Sequence, residues 1–285
     1  MEETSAATLR TVEPGIAYQS VASFDVRCRA AGRERGASEV AETTQVIVPR
    51  SGVFEVAMDG HTSVVHPGTA LVLTGQTPYS VSHPTSQGDR CTVLVFAPEV
   101  TDASIGGARP RCVRISAAAA LRAHVLSAAG DELDAESQAM SFLNELSDRL
   151  AHRGSDRRGA SPLAHRRASE ACAMIAAAPT GRWTLTSIAD AMHVSPFHFA
   201  RQFKAATGET VAEYVVGLRL AVALERLSEG ADDLATLARD LGFSSHSHFS
   251  SRFRRRFGST PTAVRSTLTR QRTAEMSKTV TVGRV

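Results

Sequence analysis

Residues 244–261 read SSHSHFSSRFRRRFGSTP. Two histidines stand two residues apart, phenylalanines are spaced among small polar residues, and arginines crowd the second half. On a helix, residues two apart are separated by about 200°, so His246 and His248 cannot ligate one metal from a single face. Phe249, Phe253 and Phe257 recur every fourth residue, which is the spacing of a buried helical stripe. The stretch is a helix anchored on one side and polar on the other, and its meaning depends on a counterpart upstream.

That counterpart exists. SIADAMHVSPFHFARQFKAATGETVAEYV (187–215) aligns with TLARDLGFSSHSHFSSRFRRRFGSTPTAVR (236–265). Phe199, Phe203 and Gly208 match Phe249, Phe253 and Gly258, each 50 residues later, and Ile188-Ala189 matches Leu237-Ala238 with one residue slipped in the turn. Each copy predicts a short helix with a small alanine in its middle, a tight turn and a second helix carrying Phe-x-x-x-Phe. A small residue lets the first helix approach the second, which is the grammar of a helix-turn-helix. The phenylalanines anchor the second helix and leave its opposite stripe free for a DNA groove. Leu218, Leu220, Val222, Leu224 and Leu227 predict a long helix, about 210–228, joining the copies. Ser161-Pro162 predicts a helix start and Gly208 and Gly258 predict helix stops.

These residues resemble the DNA-binding signature of the AraC/XylS family of bacterial transcription regulators. Gly242, Phe243, Phe249, Phe253, Arg254, Gly258 and Pro261 carry the likeness in the second unit. Ser195, Arg201, Phe203, Lys204, Gly208 and Tyr214 carry it in the first, and the resemblance covers about 165–267. It implies a regulator that binds double-stranded DNA, activates through RNA polymerase, answers a small-molecule effector and forms a homodimer. The expected DNA-facing residues are Ser195, Phe197, His198, Ala200, Arg201 and Lys204 in the first unit. In the second they are Ser245, His246, Ser247, His248, Ser251, Arg252, Arg254 and Arg255. Arg201 is the best base reader, because its planar fork matches the two acceptors of guanine, with pairing to Glu213 as the bland alternative. Ser251 stands at the matching place of the second unit, so less base reading and more phosphate contact is expected there.

Working outward, residues 15–115 alternate short β-branched runs with turn signals, and Asp59-Gly60 between VFEVAM and HTSVVH predicts a hairpin. CTVLVFAP (91–98) reads as a further strand, and the whole as a sandwich or small barrel. This part resembles the family's cupin-like N-terminal domain. It lacks the His-x-His cluster of metal cupins and has Tyr79 after the proline of GQTPYSVSH. His66 and His83 remain as scattered histidines, so neither a metal nor another cofactor is expected. Residues 116–150 read as helical, with Ala139, Phe142, Leu143 and Leu146 as an apolar stripe. That stripe serves either a dimer contact or a cover for the barrel. Residues 151–161 read as a linker and 162–268 as the DNA-binding domain, with disordered ends at 1–14 and 269–285. The fold class is thus α+β and multidomain: a cupin-like β-barrel with following helices, then an all-α domain of two helix-turn-helix units.

The 285 residues suffice for two cores, and 42% hydrophobic with 21% charged residues is a globular composition. Residues 1–160 carry 15 Lys/Arg against 19 Asp/Glu, whereas 161–285 carry 17 against 10, so a polyanion suits the second half alone. The polar, acidic start MEETSAATLR is no secretory signal and no run is apolar enough to span a membrane, which points to the cytoplasm. Cys28, Cys91, Cys112 and Cys172 form no CxxC pair and read as free thiols. Cys28 and Cys91 are read as small hydrophobes, with redox or soft-metal sensing as the rival use. The rival functions are a cupin metal enzyme fused to a DNA-binding domain, and a regulator whose front part only contacts proteins.

Overall fold

A computed structural model describes residues 10–29, 35–84, 88–127, 132–151, 161–230 and 233–269. The front half is two facing antiparallel sheets. Its strands are β1 (Arg10–Ala17), β2 (Val21–Cys28), β3 (Glu39–Val40), β4 (Gln45–Gly52), β5 (Phe54–Met58), β6 (His61–Val65), β7 (Thr69–Leu73), β8 (Pro78–Ser82), β9 (Asp89–Phe96) and β10 (Arg111–Arg114). One sheet has the order β1-β2-β9-β4-β7-β10 and the other β3-β8-β5-β6. The hairpin expected at Asp59-Gly60 joins β5 to β6, and both turn residues take positive φ, 49° and 74°.

The central strands of the larger sheet are buried on both faces, while its edge strand β1 is largely exposed. Leu71, Leu73 and Cys91 pack against Phe54, Val56 and Val65 of the smaller sheet. Their strand neighbours Ala70, Val72 and Leu94 point the other way, into a core shared with helices α1 (Pro98–Ile105), α2 (Ala117–Ser127) and α3 (Glu132–Ala151). Successive strand residues alternate faces, so a strand covered on both sides is a continuous apolar run, as β7 is from Ala70 to Leu73.

Three expectations change. Residues 10–14 are not a loose end: β1 pairs with β2 from Arg10↔Cys28 onward. The strand-rich part contains a helix, α1, which Pro98 opens. The α3 stripe is not open to a partner chain, because Ala139, Phe142, Leu143 and Leu146 are at most 1% exposed and lie in the front core of their own chain. Apolar area beside an open sheet face is buried most cheaply by that face. Residues 1–9, the linker over 152–160 and the tail beyond 269 lie outside the described residues.

The second half is helical: α4 (Pro162–Ala177), α5 (Leu185–Ala191), α6 (Pro196–Thr207), α7 (Val211–Ser228), α8 (Leu234–Asp240), α9 (His246–Phe257) and α10 over 261–269. Ser161 caps α4 and accepts from the Ala164 amide, with Pro162 at the first helical position. The helix joining the two units is α7, and Thr210 and Glu213 form a capping box at its start.

Candidate nucleic-acid interface

The two helix-turn-helix units are built alike. Helices α5 and α8 each have seven residues, α6 and α9 each twelve. Ile188 and Ala189 in one, and Leu237 and Ala238 in the other, are buried against the second helix of their unit. Phe199, Phe203, Phe249 and Phe253 are fully buried. Both second helices start at a capping serine, Ser195 or Ser245, which accepts the amide of His198 at 3.4 Å or His248 at 3.0 Å. Both stop at a left-handed glycine, Gly208 or Gly258. The turns differ by one residue. His193 (φ 54°) in the first turn matches Gly242 (φ 74°) in the second, and Ser244 is the insertion before the cap.

The outward faces are not alike. On α6, Phe197 is 76% exposed and the Arg201 guanidinium lies over its ring, 6.0 Å from the centroid. Arg201 and Lys204 are exposed, and the rival pairing of Arg201 with Glu213 does not occur, since Glu213 bonds Thr210. His198 is exposed on the same side and Ala200 is half-buried. On α9, His246, Ser247, Ser251, Arg254 and Arg255 are exposed. His248 is exposed too, yet it is held within the unit: Ser244 Oγ lies 2.9 Å from Nδ1, Arg252 Nε donates to Nε2 at 3.3 Å, and the ring meets Phe243 edge-on. The side chains of Ser195 and Ser245 are engaged in capping. Ser250, Ser251, Arg254, Arg255, Gly258 and Thr260 line an open groove of about 690 Å³ beside α9. A groove with two arginines and several hydroxyls suits a sugar-phosphate backbone.

Arg219 of α7 fixes the two units to each other. It donates to the carbonyls of Pro179 and Gly181 at 2.9 and 2.8 Å, and to Gly242 in the second turn at 3.3 Å.

The expectation of two bodies joined by a linker missed the contact between the halves. Glu225 of α7, 6% exposed, is paired with Arg90, lies 3.2 Å from His124 Nε2 and has Arg50 Nε at 3.9 Å. Arg50 and Arg90 also pair with Asp25, and Arg90 reaches Glu229 at 3.1 Å. Burial disfavours the charge on Glu225, but His124, Arg50 and Arg90 outweigh it and hold its carboxyl down at about 2. Leu121 and Val125 of α2 pack on the core of the second unit, and Val53 enters that of the first. His66, one of the scattered histidines, is buried with its ring edge-on to Tyr214 at 4.9 Å. Burial and the nearby Arg114 and Arg256 lower it to about 4, although its bond to the Pro67 carbonyl works the other way. Arg114 approaches Glu209 at 3.6 Å and passes so close to Gly208 that a Cβ there would stand 2.3 Å from its Nη1. Gly208 is required by its φ of 78°, whereas the Arg114 side-chain end could swing away from an added Cβ. The signal for Glu225 was in the sequence: one carboxylate inside the apolar run LAVALERL has to find a partner.

Residues 188–267 match the family model described as a helix-turn-helix domain. The transcriptional activator RhaS of Pectobacterium carotovorum is 38% identical over 79 residues, 28% of each chain. The transcriptional regulator AlkR of Acinetobacter baylyi is 31% identical over 120 residues, 42% of this chain and 39% of AlkR. The chain spans about a quarter to two fifths of the length of the curated relatives it matches. A solved AraC-type regulator from Chromobacterium violaceum is 29% identical and covers 36% of this chain and 92% of its own, with a TM-score of 0.35. Among the described residues no helix is long and apolar enough to cross a membrane. With its paired units and these sequence relatives, the region 188–267 is a helix-turn-helix domain similar to that of known transcription regulators.

Proposed function

We propose that the chain is a sequence-specific DNA-binding transcription regulator, not an enzyme, acting in the cytoplasm. The observation that carries this is the duplicated unit with two solvent-facing stripes, Phe197, Arg201 and Lys204 on one and Ser251, Arg254 and Arg255 on the other. Arg201 reads bases, because a free planar donor pair on an exposed helix face matches guanine in the major groove. Arg254 and Arg255 hold phosphates. An activator working through RNA polymerase suits the reading, since RhaS is a transcriptional activator. A small effector acts on the front half, and binding changes how the DNA-binding units are presented, in a homodimer. The route is the clasp on Glu225, which sits on the helix joining both units and is held by three side chains of the front half. Mapping the genomic DNA bound by the full chain, followed by titration on the recovered and scrambled sequences, tests the reading. One enriched motif bound in preference to its scrambled form supports it, and equal binding of both defeats it.

A further inference from the structure

The front half also brings together a set of metal-ligating side chains that sequence spacing hid. Cys28 ends β2, Asp89 begins β9, and the two are direct cross-strand partners. His83 follows β8. One ligand atom from each of Cys28, His83 and Asp89 lies within 4.8 Å of the other two. Around a tetrahedral ion with bonds of about 2.0–2.3 Å, ligand atoms stand roughly 3.3–3.8 Å apart, so small side-chain adjustments close the set.

A second observation concerns Asp89. It is 9% exposed, and its Oδ1 is ion-paired with His83 Nε2 at 2.7 Å, so the carboxylate and the imidazole already face one another as a matched pair of ligand atoms. A cation bound between them would displace the proton they share, as metal binding to deprotonated ligands does. The other oxygen is oriented by Cys91, whose thiol donates to Oδ2 at 3.2 Å, the kind of outer contact that fixes a metal-binding carboxylate. One thiolate, one imidazole and one carboxylate are a borderline-soft set with a fourth position left for water.

We propose that Cys28, His83 and Asp89 form a binding site for a divalent cation of the zinc class. The site is distinct from the DNA-facing helices and does not rest on the regulator reading. Its place in the fold matters nonetheless. Arg90 stands between Asp89 and Cys91 on β9 and, by strand alternation, points to the opposite face, where it holds Glu225. One strand carries the cation site on one side and the clasp on the other.

The test uses the full chain, freed of metal with a chelator and titrated with Co²⁺ alone. A thiolate-to-cobalt charge-transfer absorption should appear, saturate at one equivalent and vanish on adding Zn²⁺. Cys28→Ser should abolish the absorption, while Cys112→Ser should retain it. His83→Gln should weaken Co²⁺ binding at least about a hundredfold, since even outer-shell changes cost about ten- to a hundredfold. The proposal is overturned by a wild-type chain showing no saturable absorption, by an absorption that survives Cys28→Ser, or by unchanged affinity in His83→Gln. Should Cys28→Ser fail to fold by circular dichroism, the wild-type and His83→Gln titrations decide alone. Neither reading depends on DNA.

Discussion

The two helix-turn-helix units share a skeleton and differ in everything attached to it. Helices α6 and α9 have the same length, the same serine cap, the same buried phenylalanine pair and the same left-handed glycine stop. Outward, the first presents Arg201 and a bare Phe197 where the second presents Ser251 and Ser247. Inward, the first rests on Val53 and a buried His66–Tyr214 contact, and the second on α2, with Glu225 of α7 held by the front half's arginines and His124. What is repeated is what packing demands, and what diverges is what each unit meets on its other surfaces.

The largest effects should be equal in the two copies. Phe203→Ala and Phe253→Ala each remove a ring that is 0% exposed, which costs about 3–5 kcal/mol for a buried Phe. Denaturant unfolding of both variants measures it. A loss below about 1 kcal/mol in either would break the equivalence of the cores.

Next come the inward contacts, which should differ in their response to acid. Glu225→Gln should cost about 3 kcal/mol at neutral pH, because Arg50 and Arg90 are left buried with less negative charge beside them. The folded carboxyl sits near 2 against an ordinary 4.5, so its contribution is present above about 4.5 and is lost as pH falls through about 2. The gap between wild type and variant should close over that window. His66 behaves differently. Its folded value of about 4, against 6.5, means the folded state binds fewer protons, so stability is lost as pH falls from about 6.5 through 4. The loss is about 3 kcal/mol. A proton there adds a charge beside Arg114 and Arg256, with Glu209 paired to Arg114 and Tyr214 against the ring. His66→Phe should flatten the melting temperature over that range relative to wild type. If wild type is already flat there, the first unit has no acid-labile contact.

Legibility followed the same division. Periodicity and turn chemistry disclosed the repeat, the helix stops at Gly208 and Gly258 and the hairpin at Asp59-Gly60, because these are local consequences of side-chain spacing and backbone freedom. The exposed stripe of each second helix followed once the phenylalanines had fixed the opposite side. The contact between the halves was not legible, since Arg50, Arg90 and Glu225 lie far apart in the chain and only the fold sets their pairing. The α3 stripe was half legible: its apolarity showed, but not whether sheet or partner covered it. The joining of Cys28, His83 and Asp89 likewise depends on strand register, which no spacing rule reveals.

The outward faces should differ in sequence discrimination. Arg201 offers a planar pair of donors and lies over the Phe197 ring, so Arg201→Ala should cost about 1–3 kcal/mol on the specific site and relax preference at one or two base pairs. Ser251→Ala removes a single hydroxyl and should leave affinity nearly unchanged. Titrations on specific and scrambled DNA measure both. A larger loss of specificity from Ser251→Ala than from Arg201→Ala would invert the assignment of reading roles.

The smallest effect per residue separates the kinds of contact. Arg254 and Arg255 border the groove beside α9, and neither forms an ion pair among the described residues, so both are free to neutralise phosphate. Each phosphate contact releases condensed counterions, so losing one lowers the slope of log affinity against log salt by about 0.9. Arg254→Ala and Arg255→Ala should therefore weaken binding to specific and scrambled DNA alike, with the slope falling by about one unit in each and by about two in the double variant. Arg252 is half-buried and donates to His248 at 3.3 Å, so Arg252→Ala should change the slope less. Titrations at several salt concentrations give the slopes directly. A slope unchanged in the double variant, or a loss confined to the specific sequence, would show that α9 reads bases as α6 does, and the outward asymmetry of the two copies would be gone.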